Sequence, residues 1–233
     1  MKQLALDIAV TPSPTLDNFV TGRNAELLHN FKRMAAGEGG ERFVYLWGSA
    51  GSGRSHLLQG VVAAARSAGA NAVYIACAGE TRLGADVAQL DCVAIDDVDR
   101  LATPAQIELF NIYNELRDSR GLLVVSGDAP PAQLELRRDL VTRLGWGLVY
   151  QVHALSDEEK AQALMRHAAA RGFRLPAEVC DYLLHRAHRD MPTLLALLDA
   201  LDRHSLATKR PVTVPLLREL LQAGRPQGAA GDG

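Results

Sequence analysis

Five short, nearly unbroken apolar runs punctuate the chain up to residue 152: RFVYLW (42–47), NAVYIA (71–76), DCVAID (91–96), GLLVVS (121–126) and GLVYQV (147–152), each bounded by Gly, Asp or Ser. Runs without polar alternation suit strands covered on both faces, the usual state of a parallel sheet. The intervals carry helical periodicity at 24–36, 54–68, 80–88, 104–119 and 137–143. Apolar strand alternating with helix predicts an α/β domain whose five-stranded parallel sheet is flanked by helices.

After Val152 the pattern turns entirely helical. LSDEEKAQALMRHAAARG offers Ser156 as N-cap with Glu159 three residues on, a capping box, and Gly172 as the stop. PAEVCDYLLHRAH, DMPTLLALLDALDRHSLAT and TVPLLRELLQ complete a small all-helical appendage of four helices. The expected division is a flexible segment at 1–14, the α/β domain at 15–153, the helical lid at 154–222 and a tail at 223–233. That tail, rich in small and polar residues, has too little apolar surface to offset the entropy of ordering.

The first strand runs into GSAGSGRSHLL, from Gly48 to Leu58. The stretch is one residue short of the phosphate-binding pattern G-x-x-x-x-G-K-[ST], with Arg54 in the lysine position. Between a strand and a helix, Gly51 and Gly53 allow a tight turn whose backbone N–H groups converge on phosphate oxygens at a helix N-terminus. The candidate nucleotide-binding set here is Gly48, Gly51, Ser52, Gly53, Arg54, Ser55 and His56, with Ser55 also a candidate Mg²⁺ ligand. Arginine keeps the charge but is longer, planar and forked, so it cannot replace a lysine's point charge without a shift. Binding tolerates that change better than catalysis. Without its strand–turn–helix context the stretch would read as an ordinary Gly-Ser connection.

VAIDDVDRL closes the third strand with adjacent carboxylates. Asp96 suits the outer shell of Mg²⁺ and Asp97 suits orienting an attacking water, should intrinsic hydrolysis occur; Asp99 is expected to face solvent. Aspartates at a strand end are otherwise common turn formers.

Lysine and arginine number 25 against 27 acidic residues, with no five- to eight-residue basic run. Strong direct DNA binding is therefore not expected. Cys77, Cys92 and Cys180 are widely spaced and read as buried free thiols. The beginning of the chain has neither a signal-peptide core nor an eighteen-residue apolar span, so a cytoplasmic protein without membrane association is expected.

TLDNFVTGRNAELL (15–28), GSGRSHLL (51–58), VAIDDVDRL (93–101), LLVVSGDAPP (122–131) and LVTRLGWGLVYQVHALSDEEK (140–160) resemble the successive boxes of the AAA+ module of the bacterial replication initiator DnaA. The resemblance covers almost the whole chain. The initiator carries an additional C-terminal helix-turn-helix domain, and this sequence stops after the lid, so it looks most like the regulatory inactivators of DnaA, the Hda group. The resemblance implies an AAA+ fold, adenine recognition through the stretch containing Asn18, Phe19 and Val20, and ADP (or ATP) as cofactor. It makes QLALD similar to a peptide that docks on the DNA polymerase III sliding clamp (beta subunit), with Gln3 at the pocket rim and Leu4 and Leu6 buried in it. It makes Arg143 similar to an arginine finger projected into a neighbour's nucleotide site, leaving Arg137 and Arg138 as a solvated face.

The family's second sensor arginine corresponds here to Pro192, and Arg189, three positions earlier, does not match the motif. Lacking both the loop lysine and the lid arginine, the site is expected to hold a diphosphate with little or no turnover of its own. The implied function is a clamp-dependent adaptor: docked on the DNA-loaded clamp, it stimulates hydrolysis of ATP bound to DnaA through Arg143, which inactivates the initiator and prevents re-initiation. An autonomous AAA+ ATPase or helicase loader is the alternative, and a small-molecule kinase using the same loop a more distant one. AAA+ modules act through subunit contacts, which leaves a homo-oligomer open. His56 and His153 are given no titrating role.

Overall fold

The computed structural model describes residues 13–38, 40–186 and 190–223. These belong to two compact units, one covering Pro14–Ala154 and one beginning at Leu155.

In the first unit, α1 (Ala25–Ala35) precedes β1 (Phe43–Trp47), α2 (Arg54–Ser67), β2 (Ala72–Ala76), β3 (Cys92–Asp96), α3 (Thr103–Asp118), β4 (Leu122–Gly127), α4 (Arg138–Leu144) and β5 (Leu148–Gln151). The strands form one parallel sheet in the order β2-β3-β4-β1-β5. Side-chain parity divides its two faces. Phe43, Tyr45, Val93, Ile95, Leu123 and Val125 pack with Leu109 and Leu116 of α3 and Leu140 of α4. Val44, Leu46, Cys92, Ala94 and Val124 pack with Phe31 of α1 and Leu57, Leu58 and Val61 of α2. Both faces are covered, which is why the strand sequences show no alternation.

One expected helix is replaced. In place of 80–88 the chain makes only a 3₁₀ turn, Ala85–Gln89. Gly84 has φ +75°, a left-handed conformation that interrupts any helix drawn through it, while Leu83 and Val87 still reach the core.

The second unit holds α5 (Asp157–Ala170), α6 (Ala177–Arg186), α7 (Met191–Thr208) and α8 (Val214–Ala223). The capping box forms as expected: Ser156 Oγ accepts from Glu159 N–H at 3.2 Å, and Glu159 Oε2 accepts from Ser156 N–H at 2.8 Å. Gly172 follows α5 with φ +84°. Leu164, Leu183, Leu194, Leu198, Leu216 and Leu217 are fully buried at the centre of this bundle. Cys77, Cys92 and Cys180 are free and buried. Burial pushes the first two up to about 12, which keeps them protonated and unreactive.

Candidate functional site

β1 ends at Trp47, and the chain turns through Gly48–Gly53 into α2. Gly51 (φ +75°) and Gly53 (φ +105°) adopt left-handed conformations. A Cβ on Gly53 would also meet Phe19 Cε2 at 2.8 Å, and one on Gly48 would stand 2.5 Å from the Val152 carbonyl oxygen. Glycine is therefore required at Gly48 for space, against backbone, and at Gly53 for conformation. The turn delivers the first N–H groups of α2, which have no intrahelical acceptor, to a point where an anion can meet them. Ser52 Oγ is buried beside them with no hydrogen-bond partner among the described residues.

A second layer comes from the chain before α1. Thr15 N–H donates to Asn18 Oδ1 at 2.8 Å, and Asn18 N–H to Thr15 Oγ1 at 3.1 Å. His56 Nε2 lies 3.0 Å from Thr15 O and 2.9 Å from Asn18 Oδ1. Both partners are acceptors, so Nε2 carries the proton. The Phe19 and His56 rings meet edge to face at 5.4 Å, while Val20 is half-buried. Burial lowers the pKa of His56, a shift partly opposed by the Thr15 carbonyl. His56 thus ties the 15–19 segment to the start of α2.

The carboxylates at the end of β3 are 2% exposed at Asp96 and partly exposed at Asp97. Asp96 Oδ1 accepts from the Ser126 hydroxyl and Oδ2 from the Tyr74 hydroxyl at 2.7 Å. Ser55, exposed in the first turn of α2, lies with Gln59 beside the Tyr74 hydroxyl. Burial, and then the bond to Asp96, push that tyrosine up to about 12. Each Asp96 oxygen keeps a second lone pair, so Ser55 as direct ligand and Asp96 through water fit the coordination of Mg²⁺.

Asp97 has φ +55°, uncommon for a residue with a side chain, and its N–H donates to Ser126 Oγ at 3.1 Å. Its Oδ1 accepts from Arg54 Nη2 at 3.1 Å, and its Oδ2 lies 3.6 Å from Arg100 Nη1. Burial raises the pKa of Asp97, as does the adjacent Asp96, while the two arginines act in the opposite direction. The loop arginine is therefore turned onto the carboxylate expected to orient water, and its Nη1 is buried without a partner among the described residues. Asp99 does not simply face solvent: it is half-buried, and its Oδ1 accepts from Asp128 N–H at 3.1 Å. The β3–β4 adjacency brings the two turns together and accounts for the difference.

Arg143 occupies the last turn of α4. Its guanidinium carbon lies 3.9 Å from the Trp146 ring centroid and 5.5 Å from that of Phe110. Arg137 and Arg138 are exposed, and Arg137 pairs with Asp139 at 2.7 Å.

Comparison with known proteins places these features in a family. The model of the bacterial DnaA ATPase domain matches residues 75–151, and that of the Hda lid domain matches residues 157–221. Domain III of the Thermotoga maritima replication initiation protein DnaA is 25% identical, with a TM-score of 0.70 over 91% of this chain and 96% of that one. This chain is a DnaA-related AAA+ protein. The fold is shared more widely. AMPPCP-bound DnaA from Aquifex aeolicus is 23% identical, with a TM-score of 0.64 over 85% of this chain and 70% of that one. A RuvB mutant from Thermotoga maritima is 16% identical, with a TM-score of 0.61 over 90% and 72% of the respective chains.

Pro192 of this DnaA-related AAA+ protein sits in the first turn of α7, where a missing N–H does no harm. Asp190 caps that helix, its Oδ1 accepting from Thr193 N–H at 2.9 Å. Gln3, Leu4, Leu6 and Arg189 lie outside the described residues. No helix among those described is long and apolar enough to cross a membrane. Tyr74, Ser126 and Trp146 join the site without having been singled out. Ser126 and Trp146 fall within recognisable boxes, whereas Tyr74 reaches Asp96 only because β2 lies beside β3.

Proposed function

We propose that this protein holds an adenine nucleotide, ADP in its resting state, and acts in trans as a clamp-dependent regulator that stimulates hydrolysis of ATP bound to DnaA. The observation that carries this reading is the Arg54–Asp97 ion pair. The residue at the loop-lysine position and the residue expected to orient water neutralise one another, an arrangement that disfavours turnover in this chain's own site.

On this reading the Gly48–Ser52 backbone, the Gly53 turn and Ser52 Oγ receive phosphate oxygens, and the 15–20 segment carries Asn18, Phe19 and Val20 toward the base. Mg²⁺ bound at Ser55, with Asp96 in its outer shell, would neutralise phosphate charge. Gln3, Leu4 and Leu6 dock on the DNA polymerase III sliding clamp. Arg143 supplies positive charge to the phosphoryl group transferring in the initiator's site, a contribution worth 10³–10⁵ in rate in other phosphoryl-transfer systems.

The test follows hydrolysis of initiator-bound ATP with this protein added, with and without DNA-loaded clamp, beside a control lacking the initiator. Hydrolysis requiring all three components is the expected result. Turnover by this protein alone, indifferent to clamp and initiator, replaces the proposal with an autonomous ATPase.

A further inference from the structure

We infer that Trp146 is a positioning residue for Arg143, holding the guanidinium against its ring so that the terminal Nη groups stay available to an anionic group on a partner AAA+ subunit; the inference rests on the in-trans role proposed above. Three observations converge on it. The guanidinium carbon stands 3.9 Å from the indole centroid, with Phe110 farther off at 5.5 Å. No carboxylate among the described residues pairs with Arg143; its Nε is buried without a hydrogen-bond partner, which leaves the Nη groups as the donors a partner could reach. Trp146 is 56% exposed, so its large apolar ring is not explained by the core.

The physical case lies in what each kind of restraint leaves free. A carboxylate partner would occupy guanidinium donors and would have to be displaced before phosphate could bind. An aromatic face restrains the long side chain by cation–π attraction and stacking and consumes no donor. The local backbone fixes the register: Trp146 N–H donates to the Arg143 carbonyl oxygen at 3.1 Å, which places the indole one turn beyond the arginine. Gly145, between them, is the C-cap of α4.

The test compares Trp146→Ala, Trp146→Leu and Trp146→Phe in the hydrolysis assay with ATP-loaded initiator and clamp, reading the maximal stimulated rate separately from the half-saturating concentration of this protein. Loss of the π-face in the Ala and Leu variants should lower the maximal rate by about three- to tenfold, the range that a cation–π contact supplies. The half-saturating concentration should stay near the wild-type value, and Trp146→Phe should recover most of the rate. The Arg143 Nε–H resonance of the free protein, shifted upfield by the indole ring current, should return toward its ordinary position in Trp146→Leu. If Trp146→Leu matches the wild-type rate, or if the variants raise only the half-saturating concentration, Trp146 is contact surface and the positioning role falls while the in-trans reading stands. Failure of the unmutated protein to stimulate overturns both, and the resonance then reports the stack alone.

Discussion

Arg54 Nη2 donates to Asp97 Oδ1 at 3.1 Å, across a pair whose side chains are only 11% and 22% exposed. The arginine of the phosphate loop is thereby engaged by the same molecule's carboxylate before any anion arrives. An incoming phosphate must compete with Asp97 and also meets that residue's negative charge. Asp97→Asn removes both effects, and ADP should bind about three- to tenfold more tightly, in line with about 1 kcal/mol for the net gain of one hydrogen bond redirected to ligand. Isothermal titration on the two proteins checks this; weaker binding to the variant would mean that the pair organises the loop rather than competing with the ligand.

Asp96 is buried with one hydroxyl on each oxygen. Tyr74→Phe leaves Oδ2 without its donor in a place with little access to water. The expected loss of stability is about 1–3 kcal/mol, the range for an orphaned buried polar group, read as a lower thermal midpoint. An unchanged midpoint would show that water replaces the tyrosine hydroxyl at no cost.

The loop glycines separate two physical effects. Gly51→Ala places its methyl in open space, but at φ +75°, so the penalty should be about 1–2 kcal/mol, that of the left-handed conformation alone. Gly48→Ala drives a Cβ to 2.5 Å from the Val152 carbonyl oxygen, on a residue whose own N–H is bonded to Trp47 O at 2.7 Å. That backbone cannot yield cheaply, and Gly48→Ala should cost at least as much stability, about 1–3 kcal/mol from overpacking, read as a lower urea midpoint. The opposite ranking would show that β5 gives way more easily than the turn.

His56 couples stability to pH. Its folded-state pKa lies below the ordinary 6.5, so below that pH the unfolded chain binds more protons and acidification favours unfolding. The contribution is complete above pH 6.5 and is lost as the pH falls through the folded value. Urea midpoints of the wild type should drop more steeply below pH 6.5 than those of His56→Gln, which keeps a donor for the Thr15 carbonyl. Parallel profiles would remove His56 as the source.

The elements were largely legible because each strand is covered on both faces and the turns carry their own chemistry: Gly51 and Gly53 in the loop, Ser156 and Glu159 at the cap of α5. What was hidden depends on which strands become neighbours. Nothing in NAVYIA says that Tyr74 will donate to Asp96, since that follows from β2 pairing with β3. Asp99 was misread for the same reason, its partner Asp128 lying beyond β4. Arg143 could be picked out by its motif, but its aromatic contacts join α3 to the end of α4, a relation set by packing.

The sheet order also has a consequence for synthesis. β1, which delivers the phosphate loop, pairs only with β4 and β5: Phe43 with Leu123, Val44 with Leu148. A nascent chain that has left the ribosome as far as α3 already contains every residue from Gly48 to Ser55, yet β1 has no strand on either side. Val152, whose carbonyl closes in on Gly48, is made later still. Nucleotide retention therefore marks the completion of the whole α/β unit, and a growing or prematurely terminated chain carries the loop as sequence long before it can use it.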